Sequence, residues 1–502
     1  MCVVILCVCA LLWNYERRAR SAFKGLPSYP LLPFIGNIHQ VLALYRHLEA
    51  ITGVCEKNMS PFVLWLGPCP ILVTHDPEDV KLITNTFVEK PYYYSFGRVW
   101  LGDGLVTAPG DIWKQSIKKL AGTFTSSVVD GYLGVFNAQA HKLVEGLKTE
   151  VGREPFDVLF KYLAYTSLEA ICQTALGVTK ISESIVTTEY YKAFNRCLEL
   201  IVTRGLNVFL HPDIIYNLTP AHREMMKCVA VLHNVSDTVK REKRKNQRIE
   251  NNYYEPKFKA FLDILMDLRE IDPSLTEQQI KSEVDTIIVG GQETVATTIF
   301  YTLLMLGSKP RIQKKLHEEM RIIFGDSKRP VSKEDLADMK YCEAVINESL
   351  RLYPPIPGVL RYADRELQLS ESTGKTLTSL NTKKSNLTLC CWVVCCAGTA
   401  CAINTWGAGR SARTWGPDAA LYRPERWLAD QPPGPPAAFL AFSYGRRACI
   451  GKKYAMAILK TVLAHCVREL EFVSQADNMQ MKIDIALRPV SGYLIQVRER
   501  NA

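Results

Sequence analysis

The sequence predicts a mainly helical chain folded as one large unit, and three observations carry that reading. Apolar residues recur at helical spacing from about residue 110 onward. One unbroken helix can be read from Thr276 to about Leu306, long enough to cross a whole domain. No Gly/Ser-rich or acidic linker divides the 502 residues, although length alone would allow about three domains. With 47% hydrophobic and 22% charged residues, the composition is ordinary for a globular protein and excludes a disordered or collagenous chain. The formal charge of +10 gives no reason to expect nucleic acid; a basic surface suits an anionic membrane or an acidic protein partner. Sixteen cysteines at irregular spacing argue for reduced thiols in a cytosol-facing protein, not for a disulfide framework.

The N-terminus speaks to location. Met1–Trp13 is apolar and is followed by Arg17, Arg18, Arg20 and Lys24. Thirteen helical residues reach about 20 Å, short of a bilayer core of about 30 Å. No basic stretch precedes the run, which disfavours a cleaved signal peptide, and the positive flank after it keeps the body of the protein cytosolic. Residues 1–20 are therefore expected to be an uncleaved membrane anchor, one that could lack its first residues. Leu26–Pro33 holds three prolines, which stiffen a connecting arm.

Phe62–Leu66 and Pro70–Thr74 flank Gly67-Pro68 and predict a hairpin. Asp76-Pro77 predicts a helix start, with proline in the first turn. Asn207–Pro220 interrupts the helical pattern with the apolar loop Val208-Phe209-Leu210-His211-Pro212, which suits either lipid contact, a substrate entrance, or core. Lys240–Lys245 is basic at helical spacing and reads as a solvated face. Thr276 with Gln279 forms a capping box at the head of the long helix. Its interior carries Gly290-Gly291-Gln292-Glu293-Thr294, and two helical glycines cost about 1 kcal/mol each relative to alanine. Such weakness suits a helix that opens to accept a ligand. Glu348 and Arg351 stand i,i+3 on one face, and Pro354-Pro355 ends that helix. Val490-Ser491-Gly492 between apolar stretches predicts a C-terminal hairpin.

The most telling segment is Phe442-Ser443-Tyr444-Gly445-Arg446-Arg447-Ala448-Cys449-Ile450-Gly451. Glycines at 445 and 451 permit positive φ and close backbone approach, so amide N–H groups can be aimed at the Cys449 sulfur and tune it. Phe442 can pack beneath a flat ring system, and Arg447 can pair with a carboxylate. The pattern Phe-x-x-Gly-x-Arg-x-Cys-x-Gly resembles the signature of the cytochrome P450 superfamily at all five fixed positions. The resemblance runs from about residue 26 to 500.

That resemblance implies the P450 fold: mainly α with a smaller β lobe, a single large domain behind its N-terminal anchor. It implies haem b, iron-protoporphyrin IX, ligated by the Cys449 thiolate. The loop residues Phe442, Gly445, Arg447 and Gly451 belong to the haem site. Glu293 and Thr294 match the family's acid–threonine pair on the long helix, implying that Thr294 hydrogen-bonds oxygen and water at the reaction centre and that Glu293 relays protons inward. Gly290 stands where relatives that esterify their haem carry glutamate, so covalent attachment is not expected. Glu348, Arg351 and Arg426 (in Pro424-Glu425-Arg426) resemble the structural triad that braces the thiolate loop. Trp113 and Arg361 match positions that hold haem propionates, but Ile117 occupies the place where the family usually has arginine. Lys118, Lys452 and Lys453 resemble a docking face for an acidic reductase.

The implied activity is monooxygenation of a lipophilic small molecule, with electrons from NADPH through NADPH-cytochrome P450 reductase and cytochrome b5 as a second donor. The implied location is the endoplasmic reticulum membrane, catalytic domain toward the cytosol. Trp415-Gly416-Pro417-Asp418 and the spacing around it most resemble insect members of the clan that includes fatty-acid ω-hydroxylases. One stretch does not conform. Residues 376–396, with Cys390, Cys391, Cys395 and Cys396, look additional to the family pattern. Their spacing is wrong for zinc, leaving an extra surface loop or a translated intron. The rival functions are therefore an inactive haem-binding isoform and a reductase-independent isomerase or dehydratase.

Overall fold

The computed structural model describes residues 60–177, 188–249, 258–369 and 398–500, except 68, 432, 478, 484 and 485, with 394–395 and scattered positions between 23 and 37. The expected anchor over 1–20 and most of the 376–396 segment lie outside the described residues; Val394–Cys395 is a short strand pairing with Leu367–Gln368.

Strands β1 (Phe62–Leu66) and β2 (Cys69–Thr74) form the expected hairpin, turned at Gly67 with φ 62°. The described part of the proline-rich arm lies along β1: the Val63 N–H donates to the Pro27 carbonyl. β3 (Gly358–Tyr362) and β4 (Ala400–Asn404) complete one sheet in the order β1-β2-β4-β3, with β2 and β4 parallel and the other pairs antiparallel. Register sets Arg361 opposite Cys401. Helix α1 (Pro77–Thr86) begins as expected, because the Asp76 carboxylate accepts from the Glu78 and Asp79 N–H groups.

The helical body contains α2 (Gly110–Leu120), α3 (Leu133–Lys148), α4 (Ala164–Leu176), α5 (Thr188–Leu206), α6 (Pro220–Ile249), α7 (Glu277–Ser308), α8 (Lys340–Leu352) and α9 (Lys452–Glu469). α7 is the long helix. Thr276 caps it, its hydroxyl accepting from the Gln279 N–H. Ile288, Val295, Ile299, Phe300 and Leu304 are all buried, the pattern of a helix enclosed on every side. Among the described residues α7 alone is long and apolar enough to cross a membrane, and here it is the central core helix. It runs as α-helix without a break through Gly290-Gly291.

Two expectations are corrected. The C-terminal apolar stretches do not pair across Val490-Ser491-Gly492. β7 (Leu487–Pro489) pairs with β6 (Met481–Ile483), whereas β8 (Ile495–Glu499) pairs with β5 (Leu470–Ser474). Strand β5 leaves the end of α9 with buried Leu470 and Phe472, giving β8 a better apolar partner than its neighbour in sequence. The 207–220 interruption holds a short turn of helix at Val208–Leu210 and another at Asp213–Asn217. Phe209, Ile214 and Leu218 are about four-fifths exposed, which removes the core reading.

Candidate active site

A cavity of about 320 Å³ opens beneath the middle of α7. Gly290, Thr294 and Thr298 face it, one helical turn apart. Opposite them lie Phe442, Cys449 and Gly451, and at one side Trp113, Lys90 and Arg447. The remaining wall is mainly apolar, including Val106, Ile171, Ile287 and Val359.

The two α7 glycines do different jobs. A Cβ on Gly291 would sit 2.6 Å from Ile171 Cδ1, so Gly291 lets α7 and α4 approach closely, while a Cβ on Gly290 would meet open space. Thr294 Oγ1 donates to the Gly290 carbonyl at 2.6 Å, fixing the hydroxyl at the cavity face. Glu293 is not there. Successive helical residues point about 100° apart, and Glu293 is directed away from the cavity, buried in an ion pair with Arg488 of β7. Glu293 thus stands behind the cavity wall, beside Thr294 but not on the cavity face.

The cysteine loop is strained where it must turn. Ser443 has φ 58° and Gly445 φ 72°; the Cys449 N–H donates to the Phe442 carbonyl at 2.8 Å. At Gly445 a Cβ would lie 2.6 Å from the Thr84 carbonyl oxygen of α1. Gly445→Ala therefore combines a left-handed cost of about 1–2 kcal/mol with a clash against backbone. Thermal denaturation should show lower stability, and the cofactor content of purified protein should fall with it. Gly451 differs from the expectation: its φ is −86° and the nearest atom to a built Cβ is Cys449 Sγ at 3.9 Å. Its missing side chain keeps the cavity floor open at the residue that precedes α9. Cys449 is exposed, but onto the cavity wall. Burial raises its thiol pKa, with the Gly451 N–H and Lys452 pulling it down. A bound metal cation would displace the thiol proton and take the thiolate as its ligand.

Lys90 and Arg447 line the cavity and Arg361 lies close enough to repel both, with too little negative charge among the three. Arg361 is 2% exposed and Arg447 9%. The Nε atoms of both have no partner among the described residues. Arg447 Nη2 donates to the Ala108 carbonyl at 2.8 Å, its guanidinium lies 4.8 Å from the Trp113 ring centre, and Lys90 Nζ donates to the Val106 carbonyl at 2.5 Å. Burial, then the repulsion of Arg361, pushes Arg447 down to about 10. Burial and both arginines hold Lys90 well below the ordinary lysine range. The nearby Glu89 carboxylate is committed to the Gly110 N–H at 2.9 Å. Such a cluster is suited to a ligand bearing two carboxylates. Lys90 belongs to no motif and was not foreseen from the sequence. Ile117 lines the same wall and supplies no charge.

The brace behind the loop is buried throughout. Glu348 Oε2 accepts from Arg351 Nε at 2.8 Å and Oε1 from Arg426 Nε at 3.0 Å. The same carboxylate accepts from the Arg423 N–H and Trp427 Nε1. Arg351 also donates to the Ala419 and Leu421 carbonyls, tying α8 to the 418–427 segment. The cavity side wall has its own anchor. Glu283 on α7 accepts from the Leu105 N–H at 3.0 Å and from Gln279 Nε2 at 2.7 Å, and burial raises its pKa to about 7.

The family described as Cytochrome P450 matches residues 26–373 and 394–497. The chain belongs to the cytochrome P450 family. Relatives of this P450 come from insects and mammals alike. Cytochrome P450 4c21 of Blattella germanica is 30% identical, over 99% of this chain and 98% of its own length. Mouse cytochrome P450 4V2 is 29% identical, covering 99% and 94%, and Drosophila melanogaster cytochrome P450 4c3 is 29% identical, covering 97% and 92%. The protein is a P450 monooxygenase, of a family that binds haem through a cysteine thiolate. The residues present fit that group: a thiol at the floor, an open face at Gly451, and two buried guanidinium nitrogens lacking partners.

Proposed function

We propose that this P450 hydroxylates a lipophilic small molecule, with Cys449 as the proximal thiolate of non-covalent haem b. When bound, the haem supplies dioxygen activation, in the overall reaction R–H + O2 + two electrons + two protons giving R–OH and water. The observation carrying this reading is Cys449 and Thr294 lining one mainly apolar cavity, with half-buried Lys90 and buried Arg447 on its wall and buried Arg361 near them. Arg361, Arg447 and Lys90 would hold the propionates, with Trp113 beside them and Phe442 under the ring. Thr294 positions water and a proton at the cavity face, its hydroxyl held against the Gly290 carbonyl. The apolar wall excludes bulk water and accepts a substrate such as a fatty acid, pheromone, hormone or plant toxin.

Electrons come from NADPH through NADPH-cytochrome P450 reductase, with cytochrome b5 as a second donor. Exposed Lys118, Lys452 and Lys453 around the Cys449 side support an acidic docking partner. Exposed Phe209, Ile214 and Leu218 support contact with the endoplasmic reticulum membrane. The test is expression with and without residues 376–396, followed by a reduced carbon monoxide difference spectrum. NADPH consumption with added reductase and a screen for substrate-induced spin shifts complete it. A red-shifted thiolate band with NADPH consumption is expected. Haem without reductase-dependent turnover in both forms would support the inactive or reductase-independent alternatives instead.

A further inference from the structure

We propose that a second, polar cavity at the head of α1 binds an oxyanion of the phosphate class, with His75, Ser411 and Arg413 as its donors. The cavity has a volume of about 330 Å³, and among the described residues none lines both it and the cavity of Cys449. Ser60, His75, Asp76, Ser411, Arg413 and Thr414 line it. They come from the start of the β1–β2 hairpin, the link from β2 into α1, and the short helical turn Ala412–Trp415 with the residue before it. His75 is 5% exposed. Its Nδ1 is sealed from solvent with no hydrogen-bond partner among the described residues, so Nε2 is the nitrogen left to meet a ligand. Burial lowers the imidazole pKa to about 4, and at neutral pH the ring carries one proton. An N–H without a partner is the costlier orphan inside a protein, which places that proton on Nε2 as a donor into the cavity.

The wall is rich in donors, and the one carboxylate among the lining residues is already engaged. Thr414 Oγ1 donates to Ser411 Oγ at 3.2 Å, which leaves the buried Ser411 hydroxyl its own proton to give. Asp76 Oδ1 accepts from the Glu78 and Asp79 N–H groups, and Oδ2 lies 3.4 Å from Arg413 Nη1. The Arg413 side chain is 59% exposed, so it can swing onto an anion and present its fork of N–H groups. A metal cation fits less well. Arg413 repels it, and no third metal-ligating side chain joins His75 and Asp76 among the described residues. Donors from separate segments, one of them a mobile cation, suit a tetrahedral phosphate ester, whether a soluble metabolite or a lipid headgroup.

The experiment uses the haem-loaded full chain and isothermal titration at fixed ionic strength, with inorganic phosphate and glycerol 3-phosphate as probes. Wild type should bind one equivalent saturably. Arg413→Gln should weaken binding about tenfold or more, and His75→Phe and Ser411→Ala several-fold. Lys142→Gln, at an exposed lysine of α3, should change nothing. Arg413 is on the exposed side, so its variant tests the site even where His75→Phe folds poorly. The carbon monoxide spectrum should stay unchanged in each variant, since none of these residues lines the haem cavity. Vesicles of phosphatidylcholine with and without phosphatidic acid separate the two sources. Retention that phosphatidic acid strengthens in wild type but not in Arg413→Gln marks a headgroup; binding of glycerol 3-phosphate without that effect marks a soluble ester. Absence of saturable binding, or an affinity that survives both Arg413→Gln and His75→Phe, overturns the site.

Discussion

Cys449→Ala abolishes the red-shifted carbon monoxide band and all reductase-dependent product. The fold should survive, because the thiol contributes no packing that the loop needs: its backbone is fixed by the Phe442 carbonyl and its sulfur faces open cavity. Far-ultraviolet circular dichroism should therefore match wild type while the haem-thiolate signature is lost. The effect is total because no other described cysteine lines that cavity. Burial pushes the thiols of Cys172, Cys342 and Cys466 up, and none of the three faces the cavity. Retention of the thiolate spectrum in Cys449→Ala would remove the basis for the oxygen chemistry.

Glu348→Ala should be the most destabilising single change outside the cysteine loop. The side chains of Glu348 and Arg351 are wholly buried and that of Arg426 is nearly so. Losing the carboxylate leaves two guanidinium groups facing each other in the interior, with Asp418 3.6 Å from Arg426 as partial relief. Breaking a buried pair from one side costs about 3–5 kcal/mol, against a typical total stability of about 5–15 kcal/mol. Exposed pairs such as Lys142–Glu169 contribute about 0–1 kcal/mol and make the control. Denaturant titration should show a large loss for Glu348→Ala and almost none for Glu169→Ala. Because the 418–427 segment leads into the cysteine loop, haem yield should fall as well.

What the sequence discloses is whatever depends on near neighbours in the chain. The Asp76 and Thr276 caps, the β1–β2 hairpin, the Glu348–Arg351 spacing and the Cys449 loop are each complete within about ten residues, and all appear where local rules put them. The misses involve partners far apart. Lys90 reaches Arg447 and Arg361 only after the sheet and the loop have assembled. The Glu293–Arg488 pair joins residues nearly two hundred positions apart, and no spacing announces it. That Glu293 and cavity-facing Thr294 occupy different faces of α7, by contrast, follows from helix geometry alone. Gly451 shows the converse error, a glycine kept for the space it leaves and not for a backbone turn.

Because Gly291 seats α7 directly on Ile171, even an alanine there would push the ceiling of the chamber away from its neighbouring helix. The floor is equally fixed by the cysteine loop and its brace. The side wall is tied to that ceiling through the Gly102–Ala108 stretch, whose hold on α7 includes the carboxylate of Glu283, so loosening this one contact would widen the chamber sideways before either face gives way.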